Sequence, residues 1–248
     1  MRPIIYPYKL GSHSAKLLAE GLGTKQVRPD GFYKHKKGDL VINWGNSHYP
    51  IWDMDTESTL NHPDEVQFTI NKLETFIRLK ESNVPTPKWT TDSGQANQWI
   101  DDGMVVFCRA NLRGRSGNGI IIIDNEPVPD DIPLYTLNIG KRYEYRVHVF
   151  GEQVIDFQKK RRSTNGTIND DIRSHANGWI FCREGVELPD KVKQTAIKAV
   201  YAMGLDFGAV DVAYRARTDE AFVFEVNTAP GLEGQTLLSY IKAFKEIV

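Results

Sequence analysis

Gly208-Ala209-Val210-Asp211-Val212-Ala213-Tyr214 and, after a short polar turn, Phe222-Val223-Phe224-Glu225-Val226-Asn227-Thr228-Ala229-Pro230-Gly231-Leu232-Glu233-Gly234 decide how this chain is read. Both segments open with a period of two, the pattern of half-buried strands. The first puts Val210, Val212 and Tyr214 on one face and Asp211 on the other. The second puts Phe222, Phe224 and Val226 on one face and Glu225 with Asn227 on the other. A hairpin turning near Arg217–Asp219 sets Asp211 opposite Glu225 and gathers three oxygen donors on one face. Hard oxygen ligands suit Mg2+, which takes one or two carboxylates plus substrate phosphates at ~2.1 Å. The competing reading is a half-solvated sheet with its polar side outward, but Ala209, Ala213 and Val223 make the ligand face too apolar for that. Two carboxylates withdrawn from water together repel unless a cation lies between them.

Upstream, Val105–Arg109 and Gly119–Asp124 read as strands around Arg113-Gly114-Arg115-Ser116-Gly117-Asn118-Gly119. A glycine-rich segment between two strands excludes a Walker A loop and a Rossmann turn, both of which need a helix N-terminus. It fits a hairpin whose amides fold over phosphates, helped by Arg109, Arg113 and Arg115; an ordinary glycine-rich hairpin is the alternative. Further on, Tyr143–Phe150 and Gln153–Lys159 alternate charged and apolar residues. A simple register places Glu144, Arg146 and Lys159 on one face, as part of a site or as a cross-strand ion-pair ladder. The basic Lys160–Gly166 stretch reads as a lid closing on an anionic substrate. His148 and His175 have no partner at metal-ligand spacing and are read as structural or substrate-shaping.

The remaining pattern is mixed. Pro3–Tyr8 and Leu40–Trp44 read as strands, flanking a helix capped by Ser12 or Ser14 and running to about Glu20. A helical run covers Glu65–Glu81 and stops at Val84-Pro85-Thr86-Pro87. Trp179–Arg183 is a strand, Pro189–Met203 a helix, and a last helix spans about Leu237 to Ile247. The class expected is α+β. The 248 residues, 40% of them hydrophobic, suffice for a sizeable core. With 31 Lys plus Arg against 32 Asp plus Glu, the net charge of −1 argues against a whole-protein nucleic-acid footprint. A basic cluster, Lys34-His35-Lys36-Lys37, nonetheless stands out. The start has no apolar leader core, and no apolar run approaches the ~18 residues that span a bilayer. Cys108 and Cys182, each in an apolar strand-like run, are expected as buried, reduced thiols. A soluble, cytoplasmic protein without nucleic-acid or membrane partners is the expectation. The sequence does not set an oligomeric state.

These motifs, in this order, resemble the ATP-grasp superfamily, and most closely its RimK-like α-L-glutamate ligase branch. The similarity is densest over Thr195–Gly234, above all in the string from Glu225 to Gly234, and weakens back to Asn71. It implies two α+β lobes gripping ATP (residues 66–136 with the glycine-rich loop, residues 137–248 with the metal site) behind a small α/β lobe, residues 1–65. It implies that Asp211, Glu225 and Asn227 hold two Mg2+ ions, or Mn2+ in their place. Lys72, Arg109, Arg113 and the loop residues Gly114, Ser116, Gly117 and Gly119 would contact nucleotide. Leu137, Asn138 and Ile139 would be the hinge that reads adenine through backbone groups. Arg146, Lys159 and Arg173 would hold the γ-phosphate or the acyl-phosphate, and Asn177 would take the place of the family's catalytic asparagine. Two positions depart from the family pattern: Arg109 stands where a lysine is usual, and Ser174-His175-Ala176-Asn177 replaces a more usual Arg-Ser-Asn run.

The activity implied is ATP-dependent joining of a carboxylate to an amine, on small-molecule or peptide substrates. No side-chain nucleophile is required, consistent with the lack of a Cys/His or Ser/His pair. An ATP-grasp kinase that stops at phosphorylation, and a nucleotide-binding module without catalysis, are the alternatives.

Overall fold

The structure, a computed structural model, describes residues 1–113, 118–140, 143–163, 173 and 177–248. Strand β1 (Arg2–Pro7), helix α1 (His13–Gly21), strand β2 (Asp39–Trp44) and the short strand β3 (Thr59–Leu60) come first. They form a parallel sheet ordered β1-β2-β3. Ser12 caps α1 by accepting the Ala15 N–H, while Ser14 accepts from Leu232 N–H at 3.0 Å, near the far end of the chain. The apolar side of α1 packs with Ile5, Ile42 and Trp44 against Phe207, Tyr240 and Phe244. The first lobe therefore shares a core with the C-terminal region.

The helical run expected over Glu65–Glu81 is two helices, α2 (Pro63–Thr69) and α3 (Lys72–Glu81). Asn71 divides them: its side chain accepts from Leu73 N–H at 3.1 Å and starts the second. Next come β4 (Trp89–Thr90), α4 (Ser93–Asp101), β5 (Val106–Arg109), β6 (Ile120–Ile123) and β7 (Tyr135–Leu137). Their antiparallel sheet is ordered β4-β7-β5-β6.

The largest sheet holds β8 (Tyr143–Phe150), β9 (Gln153–Arg162), β10 (Trp179–Cys182), β11 (Phe207–Arg215) and β12 (Glu220–Asn227), ordered β10-β9-β8-β11-β12 and antiparallel throughout. Helix α5 (Asp190–Ala202) covers one face, packing Val192, Ala196 and Ala199 against Val147, Val149, Val210 and Val212. Helix α6 (Gln235–Lys245) packs at one end of the opposite face, and the rest of that face lines a cleft. The class is α+β, as expected.

Two bulges decide which side chains face the cleft. Asp211 pairs with Glu225, but Val212 pairs with Val223, so Phe224 is the extra residue. Ala221, Val223 and Val226 consequently belong to the core under α5. The expected apolar face of Phe222, Phe224 and Val226 does not form, and Phe224 lines the cleft beside Glu225. In the β8–β9 hairpin, Val149 pairs with Val154 but His148 with Asp156, leaving Ile155 extra. A regular hairpin would oppose Lys159 to Glu144. The bulge shifts the register, so Lys159 opposes Tyr145 and Lys160 reaches Glu144.

Both cysteines are free thiols. Burial pushes the Cys108 thiol up to about 11. Cys182 is only half-buried, because its strand is the edge of the sheet. Among the described residues no helix is long and apolar enough to cross a membrane.

Candidate active site

A cleft of about 950 Å3 opens between the four- and five-stranded sheets. Each wall is built from the residues that local structure turns toward it. On β11 the alternation leaves Ala209, Asp211 and Ala213 on the cleft side, and across the hairpin Glu225 and Asn227 join Asp211. The neighbouring strand β8 sets Arg146 directly beside Asp211. Arg146 Nε and Nη2 donate to the two Asp211 oxygens at 2.7 and 2.8 Å, and Lys160 Nζ lies 3.9 Å from the same carboxylate. Burial opposes charge on Asp211, but Arg146 and Lys160 outweigh it and hold the carboxyl down, at about 2. Glu225 has the opposite balance: burial and then Asp211 push it up, against Lys72, Arg146 and Arg109.

Lys160 joins several parts of this wall. Its ammonium pairs with buried Glu144, donates to Arg173 O at 2.8 Å and sits 5.6 Å from the Phe181 ring. The Arg146 guanidinium lies over the same ring at 4.7 Å, and that of Arg173 over Trp179 at 4.3 Å. Aromatic faces attract cations without neutralising them, so β10 orders positive charge along the cleft.

On the opposite wall Arg109 is buried at the end of β5 and donates to Thr136 Oγ1 at 3.3 Å. Arg109 pairs with Ile120 across the β5–β6 ladder, so one strand precedes the glycine-rich segment and another follows it. At its end Gly119 has φ +78°, and a Cβ there would lie 2.8 Å from Asn111 Cβ. Only glycine meets both conditions. Gly114, Ser116 and Gly117 lie outside the described residues, as do Ser174, His175 and Ala176. Lys72, first residue of α3, and Arg113 line the cleft.

Leu137, Asn138 and Ile139 also line it, where the chain leaves β7 for β8. Leu137 N–H donates to Lys88 O and Asn138 N–H to Val105 O, both at 2.9 Å, while Ile139 O accepts from Arg215 Nε at 2.5 Å. Of the positions expected in the site, Gly119, Lys159 and Asn177 are not among the described residues lining the cleft. Lys159 faces the other way, its ammonium 3.5 Å from the Tyr143 ring centroid. The site residues that sequence reasoning missed are Lys160 and the two supports Thr136 and Phe181. Lys160 opens the Lys160–Gly166 stretch read as a lid, but Lys160–Arg162 continue β9, residues 164–166 lie outside the described residues, and the bulge at Ile155 decides that Lys160 faces the cleft.

Among the described residues seven cations line the cleft (Lys72, Arg109, Arg113, Arg146, Lys160, Arg162 and Arg173) against Glu144, Asp211 and Glu225. That excess suits a polyanion. Among the described residues no group of three or more His, Cys, Asp and Glu side chains could hold a metal. The donor set available is two carboxylates and one amide: Asn227 turns Nδ2 toward Ala209 O at 3.4 Å, which leaves Oδ1 as its ligand atom. An all-oxygen set with two carboxylates fits Mg2+ completed by phosphate oxygens and water. The raised Glu225 carboxyl fits as well, since a divalent cation would relieve its repulsion with Asp211.

Residues 137–248 match the RimK-like ATP-grasp domain. The match takes in the C-terminal part of the chain, 112 of its 248 residues. The chain is 26% identical over 218 residues to the tetrahydromethanopterin:alpha-L-glutamate ligase of Methanocaldococcus jannaschii, covering 81% of this chain and 69% of that one. It is 28% identical over 149 residues to a Shewanella oneidensis protein named "Probable alpha-L-glutamate ligase 1", covering 55% and 47%. The chain thus spans about half the length of the second relative. The ATP-grasp ligase PsnB, solved with a variant of its minimal precursor, Mg and ADP, superposes with a TM-score of 0.67 at 13% identity, covering 98% of each chain. That likeness establishes the fold: ATP-grasp, with the cleft between two sheets.

Proposed function

We infer that this ATP-grasp protein is an ATP-dependent carboxylate–amine ligase that works through an acyl-phosphate. The observation that carries the reading is the Asp211, Glu225 and Asn227 oxygen set, backed by Arg146 and Lys160 and faced by Arg109 and Lys72. Asp211, Glu225 and Asn227 would hold Mg2+, two ions in our reading, which would neutralise charge on the transferring phosphoryl group. Arg109, Lys72 and Arg113 would hold the phosphates of ATP. The amides of Leu137 and Asn138 are already bonded, so reading the adenine edge would fall to Ile139 N–H.

The substrate carboxylate, oriented by Arg146, Lys160 and Arg173, attacks the γ-phosphorus, and the bond to ADP breaks. An amine nitrogen then attacks the acyl carbon, the carbon–oxygen bond to phosphate breaks, and the amine loses a proton. No step needs a side-chain nucleophile. The cations act by positioning and by stabilising charge that grows in the transition state. Relatives named as glutamate ligases and a structural neighbour bound to a peptide precursor make an amino acid or peptide the substrate class we propose.

The test is ADP formation with Mg·ATP against amino acids and peptides supplied in pairs, with mass spectrometry of the products. The expected product is lighter than the two substrates combined by the mass of one water. ADP formed without an amine, together with a stable phosphorylated product, would make the protein a kinase instead.

A further inference from the structure

The basic cluster at Lys34–Lys37 has no part in the cleft. It belongs to a separate groove of about 500 Å3 on the first lobe. Arg2, Lys25, Arg28, Lys34 and Lys36 line that groove, and no carboxylate does among the described residues. The nearest acids are already engaged. Asp39, buried beneath, takes Arg2 at 2.6 Å, the Tyr33 hydroxyl and the Lys36 N–H; Asp30 pairs with Arg28. Among the described residues Lys25, Lys34 and Lys36 form no ion pair. Three exposed lysines thus concentrate positive charge on a chain whose net charge is −1.

The groove is built on a rigid floor. Tyr33 meets Trp52 edge-to-face at 4.9 Å, and Trp52 Nε1 donates to Arg28 O at 2.9 Å. Phe32, which lines the groove, is fully exposed (105%); Ile51, outside it, is 77% exposed, its N–H donating to Pro29 O next to Arg28. An exposed apolar side chain in one groove with three lysines that form no ion pair among the described residues, Lys25 resting 5.4 Å from the Tyr33 ring, fits an amphipathic anion. The same segment leads to the cleft: Gly45–His48 line it, and Ile51 lies three residues on, at most about 10 Å of extended chain.

We propose that this groove docks an acidic segment of a peptide substrate, with one apolar side chain against Phe32 and carboxylates toward Lys25, Lys34 and Lys36, while the reacting part lies in the cleft. The proposal rests on the ligase reading for its purpose but not for its measurement. A nucleic acid fits less well, because the charge is confined to one concave site with an aromatic floor and does not form a stripe.

The experiment uses fluorescence anisotropy of a short fluorescein-labelled glutamate-rich peptide with one central phenylalanine, without nucleotide and at low salt. The full chain should bind it, and the same peptide with glutamine for glutamate should bind at least about tenfold more weakly, since complementary charge carries the recognition. The Lys25→Glu/Lys34→Glu/Lys36→Glu variant should lose at least about tenfold in affinity with its melting temperature kept. Phe32→Ser, at a side chain that touches solvent only, should lose a smaller factor and keeps the test open should the triple variant misfold. Glu225→Gln should bind the peptide like wild type; if no substrate pair yields ADP while groove binding persists, the ligase reading fails and the docking site stands. Equal binding of the glutamine peptide, or unchanged affinity in folded groove variants, overturns the proposal. So does tighter groove-dependent binding of a single-stranded oligonucleotide or of phosphatidylserine vesicles.

Discussion

Arg146 and Asp211 form a two-pronged ion pair across adjacent antiparallel strands, Nε to Oδ1 at 2.7 Å and Nη2 to Oδ2 at 2.8 Å. The guanidinium fork matches the carboxylate in a way an ammonium cannot. It therefore does two things: it keeps Asp211 ionised in a buried site, and it fixes which way the carboxylate faces. A metal bound at Asp211, as we propose, would meet a ligand that is already charged and oriented.

Arg146→Met removes that support while keeping much of the side-chain volume. Breaking a buried pair from one side leaves an uncompensated charge, at a cost of about 3 kcal/mol. Urea unfolding without metal should show that loss, and added Mg2+ should recover part of it by binding the stranded carboxylates. Equal losses with and without Mg2+ would mean that Asp211 and Glu225 do not take the ion. ADP formation should fall at least about a hundredfold, since under the proposed function the same guanidinium stabilises transferring charge.

The register of the β8–β9 hairpin gives a paired test. Lys160→Met should reduce ADP formation by at least about tenfold, the consequence of ~1.4 kcal/mol of lost stabilisation. Lys159→Met should stay within about threefold of wild type, since that ammonium faces Tyr143 and Tyr145 on the side away from the cleft. A reversed ranking would show that the hairpin runs in the regular register, without the bulge at Ile155.

His148 gives a pH-dependent prediction. It is buried beneath α6, with Nδ1 3.3 Å from the Tyr240 hydroxyl. Burial pushes it down to about 4, against the pull of Asp156. A histidine with a depressed folded pKa favours the fold above its unfolded value of ~6.5, and this contribution fades as pH falls from there toward 4. Stability measured by urea unfolding should therefore drop over that window. In His148→Gln the drop should be shallower, and an identical slope would assign the acid sensitivity to other groups.

How much of this was legible depends on where the physics is local. Tyr143–Phe150 was readable to the residue, because its alternation is strong and Gly151 turns the chain directly after it. The pairing of Asp211 with Glu225 followed from the same period. Bulges were not readable: whether Phe224 or Ile155 is squeezed out depends on the partner strand, and one residue moves every later side chain to the other face. Helix α4 was missed because Ala96 is its only fully buried residue, too little to give a period, although Asp92 supplies a cap. Strand β7 has only Tyr135, Thr136 and Leu137. The break at Asn71 was in principle visible, since Asn71 followed by Glu74 is a helix-start pattern inside an apolar run.

Glu225→Gln tests the metal reading most directly. The change keeps volume and an oxygen ligand but removes one negative charge from the proposed ion site. Wild-type Glu225 is pushed toward its neutral form by burial and by Asp211, so in the metal-free protein the amide should be tolerated. Melting temperature without Mg2+ should stay level or rise slightly, because relief of carboxylate repulsion offsets the lost attraction to Lys72, Arg146 and Arg109. With Mg·ATP the outcome should reverse. An anionic ligand stabilises the ion and, through it, the transferring phosphoryl group by several kcal/mol, and each ~1.4 kcal/mol is tenfold in rate. ADP formation should therefore fall by about two decades or more, and the rise in melting temperature that Mg·ATP gives the wild type should shrink. Both quantities need measuring on the same preparations. Near-normal turnover would remove Glu225 from the metal site, and collapse of the fold without Mg2+ would make its charge structural.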